Sequence, residues 1–268
     1  MAIDKITGVS WDSIANVSGV AKANIANFNG QDAPSAAAAP AQTSNLIGWW
    51  DPAQASVGDT TVTNLAYTNG YTNLDYYQSG SQGAAIVALS GLNCWYLDGV
   101  NDRIYTQNLN ATGTQWPLCT NEETFTIEGW VRSNGSWINN GNWWNKGYNN
   151  AYRNRFTSSG NLWNYPMTSR QTSGTFSTNT WHHICVTVTN DGANMDDLTV
   201  YKNGSLMQQW TNINRNPNQS GRVHFWGGYT SSGESGRFYM GMCRRYTTAL
   251  TATEVAHNYN LEKADYGY

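Results

Sequence analysis

The sequence predicts an all-β protein: an antiparallel two-sheet sandwich with a short N-terminal anchor segment and one short C-terminal helix. Three observations predict it. Between residues 45 and 268, short segments alternate apolar and polar side chains with the two-residue period of a strand. Asn, Gly and Ser turn signals separate them at close intervals. Helical periodicity is nearly absent from the same stretch, which points to a sandwich.

FTIEGWV (Phe125–Val131) places Phe125, Ile127 and Val131 on one face, and HICVTVT (His183–Thr189) does the same with Ile184, Val186 and Val188. In the latter region His182 and His183 point to opposite faces, so at most one could join a site, and both are read as structural or solvated. LTVYKNG (Leu198–Gly204) alternates Leu198 and Val200 against Thr199 and Tyr201, then ends in Asn203-Gly204, a strong hairpin signal. RVHFWGG and RFYMGMC supply two further strands. The helix starts at Thr251, with Glu254 three residues on completing a capping box, and carries Val255, Tyr259 and Leu261 on one face. It should pack across an end of the sandwich.

Hydrophobic residues make up 40% of the 268-residue chain, enough for a sizeable core, while charged residues make up only 12%. That is about half the usual charged share, so Asn, Ser, Thr, Gly and Gln must cover the surface. Net charge is −3 with no Lys/Arg cluster, so no nucleic-acid partner is expected. Most of the 13 Trp and 16 Tyr should be core or half-buried. Cys94, Cys119, Cys185 and Cys243 show no metal-ligand spacing; Cys185 and Cys243 lie in apolar strand patterns and should be buried free thiols. MAIDKITG has no apolar leader pattern, and no stretch is long enough to cross a bilayer. Neither a signal peptide nor membrane insertion is expected.

Residues 1–30 repeat with a period of 11: Gly8, Gly19 and Gly30; Val9 and Val20; Ile14 and Ile25; Ile6, Val17 and Phe28. Eleven residues make about three helical turns, yet a glycine inside a helix costs about 1 kcal/mol against alanine. Short helical turns over Trp11–Asn16 and Lys22–Asn27, joined by extended corners, are therefore expected. A segment below about 40 residues needs a staple or a partner to fold, and no cysteine lies here. Ile6, Val9, Trp11, Ile14, Val17, Val20, Ile25 and Phe28 are accordingly expected to anchor or oligomerise the chain by burying against other chains; docking onto its own sandwich is the alternative, against which the Ala/Pro tether argues. QDAPSAAAAPAQTS (31–44) reads as a semi-extended linker, which divides the chain into 1–30, 31–44 and 45–268.

One stretch suits a glycan. SWINNGNWWNKGYNNAYRNRF sets Trp137, Trp143, Trp144, Tyr148 and Tyr152 among asparagines, aromatic faces and planar amides that match the two kinds of surface on a pyranose.

FTIEGWV, WWNKG (Trp143–Gly147), WHHICVTV (Trp181–Val188), LTVYKNGSL (Leu198–Leu206) and YTTALTATEVAHNY (Tyr246–Tyr259) follow the order of the laminin-G-like, concanavalin A-like jelly-roll family, which this chain resembles over about residues 45–263. NLIGWWD resembles the family's first strand and YLDGVNDRI its early strand and turn. The resemblance implies a jelly roll in which the WHH, Asn-Gly hairpin and FTIEGWV strands are central. It assigns part of WWNKG to a strand, so at least one of Trp143 and Trp144 should be core. Some relatives bind Ca2+ through an Asp, for which Asp98 and Asp102 would be the candidates; the same residues also read as an ordinary turn. MGMCRRY (Met240–Tyr246) lacks the acidic pair that many members carry before this Tyr, so no cofactor is expected. Glycosidases of the superfamily place two carboxylates about 5–5.5 Å apart for the retaining mechanism, which a strand meets with acids two apart. Here Glu122 and Glu123 are adjacent, Glu128 stands alone, and Asp196 and Asp197 sit in a loop, so no catalytic residue and no enzyme is expected.

SGVAKANIANFNG resembles N-terminal segments of tailed-bacteriophage virion proteins, and ALTATEVAHNYNLEKADYG resembles the ending of laminin-G-like domains of phage particles. Together these imply a non-enzymatic virion structural protein, of the capsid-decoration, fibre or appendage type, made in the host cytoplasm. It would attach through residues 1–30 to other head or tail proteins, self-associate, for example as a trimer, and display residues 45–268. The alternative is a carbohydrate-binding adhesion module recognising host surface glycans.

Overall fold

The structure, a computed structural model, describes residues 5–6, 9–10, 16–17, 20–21, 27–28, 31–32, 39–59, 61–66, 74–77, 84–100, 102–106, 124–139, 141–146, 153–165, 170–190, 195–214, 224–226 and 236–268. The chain divides into two compact units, Met1–Ala39 and Pro40–Tyr268.

In the first unit, six two-residue strands form three antiparallel pairs: β1 (Lys5–Ile6) with β2 (Val9–Ser10), β3 (Asn16–Val17) with β4 (Val20–Ala21), and β5 (Asn27–Phe28) with β6 (Gln31–Asp32). The inner pairs Ile6↔Val9, Val17↔Val20 and Phe28↔Gln31 leave two residues to join each ladder: Thr7-Gly8, Ser18-Gly19 and Asn29-Gly30. This corrects three expectations. The extended corners are hairpins, Asn16 and Asn27 are strand residues and not the ends of helical turns, and Gln31 and Asp32 belong to the third hairpin and not to a linker. Residues 11–15 and 22–26, with Trp11, Ile14 and Ile25, lie outside the described residues.

The second unit adds, in chain order, β7 (Leu46–Trp50), β8 (Thr61–Val62), β9 (Leu74–Tyr77), β10 (Ala85–Leu89), β11 (Leu92–Asp98), β12 (Arg103–Thr106), β13 (Phe125–Ser133), β14 (Gly141–Lys146), β15 (Arg153–Phe156), β16 (Leu162–Tyr165), β17 (Arg170–Gln171), β18 (His182–Asn190), β19 (Met195–Lys202), β20 (Ser205–Asn214), β21 (His224–Trp226), β22 (Arg237–Tyr246) and the helix α1 (Ala252–Glu262). The first sheet runs β10-β11-β22-β13-β18-β19-β20, with β7 also on β22; the second runs β17-β16-β15-β14-β21-β12-β9-β8. The strand pairs described for both sheets are antiparallel. β13, β18 and β22 are central, and β19, the strand that runs into the Asn-Gly turn, lies inside the sheet between β18 and the edge strand β20, as the resemblance implied.

Alternation builds the core. Phe125, Ile127 and Val131 of β13, Ile184, Val186 and Val188 of β18, and Leu198 and Val200 of β19 turn inward from the first sheet. They share one cluster with Ile104, Trp143, Trp144, Phe156 and Leu162 of the second. Arg245 is also buried here, its guanidinium 4.7 Å from the Phe125 ring centre and 5.6 Å from that of Trp144. The β19–β20 turn uses positive φ at Asn203 (52°) and Gly204 (74°), the backbone that an Asn-Gly turn adopts without strain. Cys94, Cys185 and Cys243 are buried and free, and burial pushes their thiols up, Cys94 to about 12. Cys119 lies outside the described residues.

His182 and His183 do face opposite ways, and both are buried. His182 packs edge-on against Phe176, with Nε2 3.1 Å from both the hydroxyl and the carbonyl oxygen of Ser177. Burial lowers its pKa from 6.5 to about 4; the Ser177 carbonyl opposes the shift and Lys202 adds to it. Below 6.5 the unfolded chain takes up a proton that the folded chain refuses until about 4, so the folded state loses stability across that window. Urea denaturation at stepped pH should show the wild type losing stability against His182→Gln between pH 6.5 and 4; parallel curves would contradict this.

Candidate functional site

Two sheet faces lie outside the core. The outer face of the first sheet is covered by α1 and residues 263–268. Thr251 accepts a hydrogen bond from the Glu254 backbone N–H while the Glu254 carboxylate accepts from that of Thr251, completing the expected capping box. Val255 packs with Leu46, Tyr246 and Leu250.

Beneath the helix lies a cluster of charges. The alternation that turns Phe125 and Ile127 inward turns Glu128 outward, and the β13–β22 register sets it opposite Arg244. Arg244 donates to Glu128 at 2.9 Å and to Glu262 of the helix. The same Glu128 oxygen accepts from the Tyr246 hydroxyl (3.2 Å) and the Asn258 amide (2.9 Å), and the other lies 3.3 Å from Nε2 of His183. Trp130 donates its indole N–H to Glu262 at 2.9 Å and stacks on Tyr266, with ring centres 4.1 Å apart and planes 8° from parallel. Burial resists ionisation of Glu128, but His183 and Arg244 outweigh it and hold the carboxyl at about 2. Burial raises Glu262, with Arg244 opposing and Glu128 adding. Tyr268 closes the edge by donating to the Trp181 carbonyl and accepting from Asn203 in the hairpin turn. These charges are matched within the protein and roofed by the helix, so they lock α1 to the sheet and offer nothing to a ligand.

The outer face of the second sheet is different. Phe156 and Leu162 point into the core, so their strand neighbours Arg155 and Trp163, themselves a register pair, point out. The Arg155 guanidinium carbon lies 3.8 Å from the centre of the Trp163 ring. Both side chains are half-buried. Trp163 pairs with the exposed Gln171 of β17, and Arg155 pairs with Asn142 of β14. A half-buried aromatic ring beside the exposed Gln171 amide presents stacking and hydrogen-bonding surface together, which is what a sugar engages.

The candidate glycan residues fare otherwise. Trp137, Trp143 and Trp144 are 3%, 0% and 1% exposed and belong to the core cluster, so none offers a ring to a sugar. A bulge between Asn142 and Trp144 supplies the reason: the extra residue breaks alternation, and both tryptophans turn inward. Trp137 stacks on Phe156 at 3.9 Å and donates its N–H to the Phe176 carbonyl. Tyr148 and Tyr152 lie outside the described residues. Trp163 escaped notice in the sequence, although Leu162-Trp163-Asn164 alternates and the apolar Leu162 marks Trp163 as outward.

At the β11–β12 turn, the Asp98 N–H donates to Asp102 and the Val100 N–H to Asp98, each at 2.7 Å. Burial raises Asp102 to about 6, Asp98 adding to the effect while its N–H opposes it. This is the local turn bonding expected of these residues. Among the described residues no three His, Cys, Asp or Glu side chains converge in a way that could hold a metal ion.

Two antiparallel sheets sharing one aromatic core, with a capped helix laid on the outside, make this a concanavalin A-like jelly-roll sandwich. A family model described as the concanavalin A-like lectin/glucanases superfamily matches residues 96–256, more than half of the chain, and the chain belongs to that family. No curated protein matches it. Among solved structures, it is similar to the binding domain of Paraclostridial Mosquitocidal Protein 1 (20% identity, 81% of this chain and 52% of that one, TM-score 0.58). It is also similar to domain 4 of AbnA, a GH43 extracellular arabinanase from Geobacillus stearothermophilus, in complex with arabinotriose (14% identity, 80% and 98%, TM-score 0.56). A third is the binding domain of botulinum neurotoxin DC in complex with rat synaptotagmin II (13% identity, 81% and 52%, TM-score 0.57). The chain spans about half of each toxin domain and nearly all of the arabinanase domain. At these identities the likeness is one of fold.

Proposed function

We infer that this chain is a non-enzymatic glycan-binding module displayed by a bacteriophage virion and attached through its N-terminal hairpin repeat. The observation that carries the glycan reading is the half-buried Trp163 beside Arg155, facing outward from a sheet in which Trp143 and Trp144 are core. The arabinanase domain with a bound arabinotriose lends the fold a precedent. Absence of catalysis is supported by the two carboxylates that approach one Arg, Glu128 on the first sheet and Glu262 on α1: both are buried where the helix meets the sheet and are engaged by Arg244. The virion part rests on the likeness of residues 18–30 and 249–267 to phage particle proteins, and on three hairpins of a kind that is marginal in water by itself. Such hairpins gain stability against a partner, either other head or tail proteins or further copies of this chain. A glycan array probed with the full chain tests the reading. Saturable binding to host surface glycans, reduced about 30-fold by Trp163→Ala, is expected for loss of a central aromatic contact. Silence across the array, with attachment to particles intact, would leave a purely structural decoration.

A further inference from the structure

We propose that one end of the first sheet's outer face is a self-complementary surface through which two copies of this chain pair face to face. Trp95 and Leu97 of β11, Val131 of β13, and Phe238 and Met240 of β22 point into the core, so Tyr96, Asp98, Arg132, Arg237 and Tyr239 point out. All five are half-buried. They lie past the cover of α1 and its tail, which grip β13 at Glu128 and Trp130. Tyr239 stands opposite Tyr96 on one side and Arg132 on the other, and Asp98 stands opposite Arg237. The Tyr96 and Tyr239 ring centres are 5.1 Å apart, and the Arg132 guanidinium carbon lies 5.8 Å from that of Tyr239. The Asn134 amide donates to the Tyr96 hydroxyl at 3.2 Å, and Arg132 Nε donates to the Asn179 carbonyl at 2.8 Å, so both ends of the row are held in place.

Charge is split across this surface. Arg132 on β13 and Asp98 on β11 flank β22, so two strand spacings, about 10 Å, separate them. Arg237 does not neutralise Asp98, because its Nη2 reaches toward Ser136 at 3.5 Å, past the end of β13 and away from β11. Among the described residues no acid pairs with Arg132 or Arg237, and no cation pairs with Asp98. A half-turn about an axis lying along the sheet face, midway between the two charges, sets Arg132 of each copy against Asp98 of the other. The tyrosines of the two copies then meet between the charge pairs. This is the reciprocal contact of an isologous interface, and Tyr and Arg are the side chains that interface centres favour. An acidic partner of another kind would satisfy Arg132 but repel Asp98, whereas a second copy satisfies both. The surface belongs to the sandwich unit, so the inference does not depend on what Trp163 or the hairpin repeat binds.

Sedimentation velocity of the full chain over a concentration series tests this. The wild type is expected to associate reversibly. Arg132→Glu and Asp98→Arg, which bring like charges together, should each raise the dissociation constant at least about tenfold. The two variants mixed in equal amounts should associate about as tightly as the wild type, because each supplies the charge that the other has lost. Should Asp98→Arg fail to fold, Asp98→Asn, which keeps an oxygen for the Val100 N–H, must still weaken association. A wild type that sediments as a single copy throughout would overturn the proposal. So would association that neither variant weakens, which would assign self-association to the repeat. Variants that weaken association but do not restore it when mixed would overturn it as well, by showing that this face meets a different surface.

Discussion

Arg244→Ala is expected to destabilise the sandwich unit by about 3–5 kcal/mol, the usual consequence of removing one member of a buried ion pair. Arg244 is 1% exposed and is the cation that joins Glu128 on β13 to Glu262 on α1. Without it, two carboxylates remain buried near one another, and Tyr246, Asn258 and Trp130 can satisfy them only in part. The helix should loosen first, because its polar contacts to the sheet run through Glu262 and Asn258. Denaturant titration followed by Trp fluorescence would report this, since Trp130 stacks on Tyr266 just past the helix. Adding Glu262→Leu to Arg244→Met should recover part of the loss, by removing the orphaned charge along with its partner. A loss below about 1 kcal/mol, the worth of a surface ion pair, would contradict this role.

Removal of residues 1–39 should have the opposite profile: no change in the denaturant midpoint of the remaining chain, and loss of particle attachment to background. The two units are separately compact, and each hairpin of the first has just two paired positions per strand. Such short ladders are marginal in water, so cooperative stability there should come from what the repeat docks on. Val17→Asp with Val20→Asp, which charges both inner positions of the second hairpin, should reproduce the loss of attachment in the full chain. A midpoint that falls on truncation would mean that the repeat is built into the sandwich, and the anchor reading would fail.

The two-residue alternation of FTIEGWV and HICVTVT located the inner faces of β13 and β18, and the Thr251–Glu254 spacing located the helix cap. These signals are local, and local chemistry is what a sequence displays. The lock beneath α1 was hidden because Glu128 and Arg244 are 116 positions apart and meet only through the β13–β22 register. Its one local trace was a charge on the outward face of a strand otherwise rich in apolar residues. The fate of Trp143 and Trp144 turned on a bulge, a register irregularity that composition does not reveal. In the repeat, an 11-residue period suits three helical turns as well as one hairpin per repeat; the Gly-ended pairs Thr7-Gly8, Ser18-Gly19 and Asn29-Gly30 favoured the hairpin.

The most direct measurement is NMR mapping of the indole N–H resonances of the full chain during titration with the strongest arrayed glycan. The indole of Trp163 is expected to shift progressively with ligand, together with the Gln171 side-chain amide, while those of Trp130 and Trp181 beneath and beside the helix stay in place. Shifts gathered at Trp130 and Trp181, with Trp163 unmoved, would place binding on the first sheet and contradict the account.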